Sequence, residues 1–216
     1  MSAPAPLFGV DSGPDAVLRP LDAEAVRQAA RLSKPAFQRL DPRSWRSLID
    51  SLQTSTAHPS ALTHTLAWGL PSPLLLRWAC LSARLEEVAS ARPAASRALV
   101  AAELWLRKGE EKDRYEGYDL GAAENFETAG ALAALAAFLS GPSIAPAGVK
   151  PHPPAPDLGR SCATSVLAVA ATSAPLGNEG FQHINAIGLD LAFGGDGRTG
   201  AHRALAAIQG GPERGS

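Results

Sequence analysis

Leu74, Trp78, Leu81, Leu85 and Val88 recur at three- and four-residue intervals. That is the period of one helix face, so they form an apolar stripe. Ser72 stands ahead of it as a cap, and Pro73 suits the first helical position, where its missing N–H would have no partner anyway. The same spacing carries Ala95, Leu99, Ala102 and Leu106 along a helix from about Pro93 to Lys108, which Gly109 ends. It also places Phe181, Ile184, Gly188 and Leu191 on one face of a helix over 178–193. Asp22 caps a helix running through Arg31, and "SWRSLIDSL" reads as a short helix. "EEKDRYEGYDLGAAENF" is a polar helical segment. "ETAGALAALAAFLSG" and residues 158–173 are apolar helices whose alanines allow close approach. Alternating β-branched runs are missing, and no fixed-period repeat is visible. The pattern predicts an all-α chain, a compact bundle of six to eight short helices.

Prolines and glycines set the organisation. Residues 1–20 are Pro- and Gly-rich and are expected to be a flexible N-terminus. Residues 21–193 form a single helical domain, and 194–216 a loose Gly-rich tail with at most one short helix. Six prolines in "GPSIAPAGVKPHPPAPD", 141–157, forbid a helix and favour an extended polyproline conformation. Ile144 and Val149 are interspersed among them. The segment joins two apolar blocks of one core, so it is expected to lie as a strap along the bundle with both side chains against helices.

Charge changes this picture little. Net charge is −1 and charged residues make up 19% of the chain, a balance that predicts neither nucleic-acid binding nor attachment to a membrane surface. Residues 19–46 carry seven bases against three acids and 103–127 eight acids against four bases, so the two segments are expected to face each other. The longest apolar runs fall short of the roughly 20 residues a membrane span needs. The N-terminus has no basic region before an apolar run. Two cysteines do not make a disulfide framework. A soluble, cytoplasmic protein without membrane insertion is expected.

Candidate chemistry is sparse. Cys80 lies between Arg77 and Arg84, neighbours able to lower a thiol pKa, although a cysteine on an Ala-rich helix is more often a small core residue. His58, His64, His152, His183 and His202 are scattered without metal-ligand spacing, and His183 and His152 are expected in solvent. "GGDGRTG", 194–200, has the glycines of a phosphate cradle but lacks the Lys-Ser/Thr pair and a preceding strand. Glu86 with Glu87 and Glu110 with Glu111 are adjacent pairs that point about 100° apart on a helix. Glu87 is expected to pair with Arg84 at the surface. No catalytic, cofactor-binding or metal-binding residue is assigned, and no cofactor is expected.

"LAWGLPSPLLLRWACLSAR" resembles a segment of an uncharacterised bacterial all-helical domain family, approximately A-W-x-L-P-x-x-x-x-x-W-W-A-C-L-x-A-R. The matching positions are Ala67, Trp68, Leu70, Pro71, Trp78, Ala79, Cys80, Leu81, Ala83 and Arg84. Ala102 and Trp105 followed by "EEKDR" resemble a second signature, and "AAFLSGPSIAP" with the strap after it a third. The resemblance covers about 57–193, and Arg77 stands where the family has a second Trp. It implies that Trp68, Trp78 and Trp105 are core residues. It also implies an association with secretion-type gene clusters, including type VI systems, and gives no residue a catalytic duty. The function expected is a non-enzymatic cytosolic adaptor or accessory protein of a type VI-like secretion system, acting by protein–protein interaction with a partner not identified. The alternatives are a regulatory or ligand-binding helical bundle, and a thiol-dependent enzyme or redox protein using Cys80.

Overall fold

The computed structural model describes residues 14–54, 59–91, 96–146 and 148–210. Among them all regular structure is helical: α1 (Pro14–Val17), α2 (Ala23–Ala29), α3 (Lys34–Gln38), α4 (Trp45–Thr54), α5 (Pro59–Gly69), α6 (Ser72–Ala89), α7 (Arg97–Lys108), α8 (Glu111–Ala123), α9 (Ala129–Leu139), α10 (Leu158–Ala171), α11 (Gly180–Ala192) and α12 (Arg198–Gly210). A 3-10 segment, Ala174–Glu179, joins α10 to α11. The all-α class stands. The count, twelve among the described residues, exceeds the six to eight expected, because short helices such as α1 and α3, of four and five residues, are too short to show a periodic stripe. No described helix is long and apolar enough to cross a membrane.

Local chemistry sets many of the boundaries. The Asp22 carboxylate accepts from the Glu24 and Ala25 amides at the start of α2. Ser96 and Thr128 cap α7 and α9 in the same way. Gly109 ends α7 with a φ of 69°, a conformation suited to glycine. At α6 the expected cap moves by one: Pro71 is the cap residue, without a side-chain hydrogen bond, and Ser72 is already helical.

α6 is the axis of the molecule, packed by α7, α9, α10, α11 and α12. It is therefore buried on more than one stripe. Trp78 and Leu85 are inside as expected, but so are Leu75, Leu76, Ala79, Ser82 and Ala83. Val88 is 48% exposed: in the last turn of α6 it lies on the solvent side, while Glu86 and Glu87 beside it are buried. The Trp78 indole donates to the Ile184 carbonyl at 2.8 Å, and its ring occupies the space where a Cβ on Gly188 would stand. That glycine lets α11 close on α6.

The arm before the family-like core is part of the same core. Val26, Phe37, Trp45, Leu48 and Ile49 are all buried within it. Trp45 is 1% exposed, and its indole donates to the Arg19 carbonyl at 2.7 Å. Trp68 and Trp105, both expected inside, are only partly buried against the core's edge. The arm packs on α5, while α7 and the acidic helix α8, which carry most of the 103–127 segment, pack with α9, so the two charged segments do not meet as expected. Each pairs nearby instead: Arg27 with Glu24, Arg43 with Asp41, Glu103 with Arg84, Glu111 with Arg114.

The tail is not loose through Gly210. α12 docks on α11 and α6, with Ala204 buried. Gly200 makes this possible: a Cβ there would lie 2.2 Å from the Ala186 carbonyl oxygen.

The two strap side chains expected against helices differ in burial. Ile144 is partly buried, and its amide donates to the His152 carbonyl at 2.8 Å. Val149, however, is 59% exposed. The loop closes on itself, with the His152 amide donating to Ser143 Oγ at 2.9 Å, and this turns residues 148–153 away from the helices.

Candidate functional site

Cys80 is 3% exposed, at the centre of the α6 packing. Burial pushes its thiol well above the ordinary range, the Glu103 carboxylate adds to this, and Arg84 only partly opposes it. Arg84 is committed elsewhere. It forks onto Glu103 at 2.8 Å and reaches Glu87 at 2.8 Å. Arg77 donates to the Asp196 carbonyl at 2.7 Å and so tethers the turn before α12. The two guanidiniums flanking Cys80 in sequence therefore hold helices together. Cys162 is half-buried against the Leu132 carbonyl, and burial pushes its thiol up to about 11.

The paired carboxylates also have structural partners. Glu87 is buried rather than superficial. One of its oxygens takes the Arg84 ion pair, and the other accepts from the Ser96 amide at 3.0 Å, joining α6 to the start of α7. Glu86 accepts from Ser90 Oγ at 3.0 Å. Glu110 pairs with Lys112 at 2.8 Å. In "GGDGRTG" the backbone amides are taken up within the chain: Gly197 donates to Asp190 Oδ2 at 2.8 Å and Gly195 to the Asp190 carbonyl at 2.8 Å. This turn launches α12.

Of the histidines, His58 lies outside the described residues, and His152 and His202 are exposed. His183, expected in solvent, is buried, and burial lowers its pKa against the opposing charge of Glu179. Among the described residues no group of three or more His, Cys, Asp or Glu is placed to hold a metal ion.

One arrangement invisible in the linear chain has the character of a site. α2, α5 and α10 enclose a groove of about 430 Å³ lined by Arg31, His64, Trp68 and Arg160, with small residues between them. A second hollow of about 380 Å³ continues from it past Arg31 and His64 to Ser33 and Ser60. Arg160 is held firmly. Its Nη1 donates to the carbonyls of Ala67 at 2.6 Å and Leu70 at 2.9 Å, and its Nη2 to Ser72 Oγ at 3.1 Å. These are carbonyls at the end of α5 that the helix itself leaves unpaired. Burial and the like charge of Arg19 lower the Arg160 pKa to about 10, with Asp157 opposing. Burial and the charge of Arg31 lower that of His64. The groove is thus a basic, partly desolvated pocket.

Sequence reasoning also missed Arg114. It is fully buried in α8, donates to the Phe138 carbonyl at 2.7 Å and the Ser143 carbonyl at 2.8 Å, and lies over the rings of Tyr115 and Phe138. Tyr115 donates its hydroxyl to the Ala145 carbonyl. Together they pin the first residues of the proline segment to α8.

No curated protein and no solved structure matches the chain. A family model does, that of the family of unknown function DUF6931, over residues 48–192. That span runs from the first turns of α4 to the end of α11 and takes in α6, the proline segment, His64, Trp68 and Arg160, while Arg31 precedes it. The chain belongs to the DUF6931 family.

Proposed function

We propose that this chain is a non-enzymatic adaptor that presents its proline segment to a protein partner, as an accessory of a bacterial secretion-type assembly such as a type VI system. The observation that supports this reading is the contrast along the segment. Residues 143–145 are tied down by Arg114 and Tyr115, whereas Gly148, Val149, Lys150, Pro151, His152 and Pro153 are all exposed. Prolines fix φ in advance and offer no N–H, so such a segment stands in water with little ordering left to lose on binding. Lys150, Pro153 and Pro156 recur at three-residue intervals, the repeat of a polyproline helix, so a partner that binds the segment in that form meets them along one edge. A partner domain with an aromatic-lined groove and an acidic pocket for Lys150 fits that edge. The secretion context comes from the sequence resemblance.

The test is a pull-down from the source cell with the full chain, set beside Pro153→Ala/Pro156→Ala and Lys150→Glu variants. The reading expects a partner retained by the parent chain, lost by both variants, and lost while their melting temperatures stay unchanged. A partner that binds the double variant as well as the parent would remove the strap from the interface.

A further inference from the structure

We propose that the groove between α2, α5 and α10 binds a phosphoryl group on a small, partly apolar molecule, with the phosphoryl oxygens between Arg31 and Arg160 and beside His64. This is independent of the adaptor reading. Three basic side chains line one cavity, and the charge of a fourth, Arg19, reaches Arg160. The carboxylate within reach, Asp157, is 72% exposed and 3.7 Å from Arg160 Nε. Among the described residues neither Arg31 nor His64 has an ion-pair partner. Like charges gathered in a partly desolvated pocket oppose folding, and a compact dianion turns that repulsion into attraction. Two permanent guanidiniums match the doubly charged phosphoryl group better than a single carboxylate.

Arg160 meets the demand for a preorganised anchor. Its side chain is only 10% exposed, its Nη atoms are fixed by the end of α5, and its Nε is buried without a hydrogen-bond partner. Arg31 stands just past the end of α2 with a φ of 54°, a left-handed position that favours glycine. An arginine there strains the backbone and aims a charge into the groove. The remaining walls define the rest of the ligand. Ala29, Ala67 and Ala168 with the half-buried Trp68 ring make an apolar surface that inorganic phosphate alone would leave uncovered.

The experiment titrates the full chain with inorganic phosphate and with phenyl phosphate at constant ionic strength, following the His64 imidazole resonances and the melting temperature. The proposal expects saturable shifts with both and about tenfold tighter binding of phenyl phosphate. Arg31→Gly should weaken both ligands at least tenfold without lowering the melting temperature of the free protein, since glycine is at home at that φ. Trp68→Ala should abolish the preference for phenyl phosphate and keep phosphate binding. Vesicles containing phosphatidic acid form a second arm: co-sedimentation that Arg31→Gly abolishes places the phosphoryl group on a lipid, and its absence places it on a soluble molecule. Shifts reproduced by chloride, or an Arg31→Gly chain that responds like the parent, would overturn the site. Loss of phosphate binding in the Pro153→Ala/Pro156→Ala chain would overturn its independence of the strap.

Discussion

A single side chain shows how far burial departs from residue type in this bundle. Arg114 is fully buried, yet each of its contacts is a carbonyl, a carboxylate or an aromatic face. Removing it takes a charged donor from the Phe138 and Ser143 carbonyls and leaves a hole. Arg114→Ala is expected to cost about 1–3 kcal/mol, the usual loss when a buried acceptor loses its donor, because its carboxylate partner Glu111 is half exposed and is not left as a buried charge. Denaturant unfolding checks this, and a loss below 1 kcal/mol would show the network to be dispensable. Trp78→Ala, at the α6–α11 contact, should cost ~3–5 kcal/mol through its cavity. Trp105→Ala on the rim should cost clearly less, and equal losses would contradict the assigned burial.

His183 gives a residue-scale prediction in pH. Its folded pKa is lowered by burial, so the unfolded chain takes up a proton first as pH falls. The stability it contributes is complete above the ordinary imidazole value of about 6.5 and declines as pH drops through that value toward the lower folded pKa. His64 acts in the same direction. Melting temperature is therefore expected to fall between neutral and mildly acidic pH, and His183→Gln should flatten the slope. An unchanged slope would mean that His183 is as solvated in the folded chain as in the unfolded one.

At the scale of the element, α12 and the proline segment invert what composition suggests. The Gly-rich stretch before α12 is a turn held by the Asp190 carboxylate, and Gly200 is a contact point against α11. Gly200→Val would drive a side chain into the Ala186 carbonyl and is expected to cost about 1–3 kcal/mol, as overpacking does. Hydrogen exchange should then quicken selectively across 198–210. The strap divides in two: Ile144→Ser should lower stability measurably and Val149→Ser should not, because only the first side chain is partly covered. Equal effects would mean that the segment docks as a whole.

At the scale of the whole molecule, nearly all the buried apolar residues among those described make one cluster, from Leu18 in the arm to Ala204 in α12, with Ala101, Ala131 and Phe138 outside it. A core of that kind unfolds as a unit. Tryptophan fluorescence and far-ultraviolet circular dichroism should therefore report one coincident transition. Separate transitions would divide the chain into subdomains at the proline segment.

What the sequence determined by itself is local. Asp22 and Gly109 mark helix ends because capping is settled within four residues along the chain. The period of the apolar positions likewise placed Trp78, Leu85, Ile184 and Leu191 inside. Only the tertiary structure decided which residues share the rest of the interior. Trp45 took the buried place and Trp68 stayed at the edge because that choice depends on how the arm packs on α5, and the burial of Trp105 depends on how α7 packs on α6, α8 and α9. Glu87 reads as a surface charge, and Arg114 as one residue of a polar segment, until the start of α7 and the end of α9 supply an amide and a carbonyl. The groove is the clearest case. Arg31, His64 and Arg160 are far apart in the chain and show no motif, and the packing of α2 and α10 on α5 is what makes them neighbours. Capping and periodicity act between residues that the backbone already holds close. The pairing of a charge with a distant carbonyl is chosen when the helices cross.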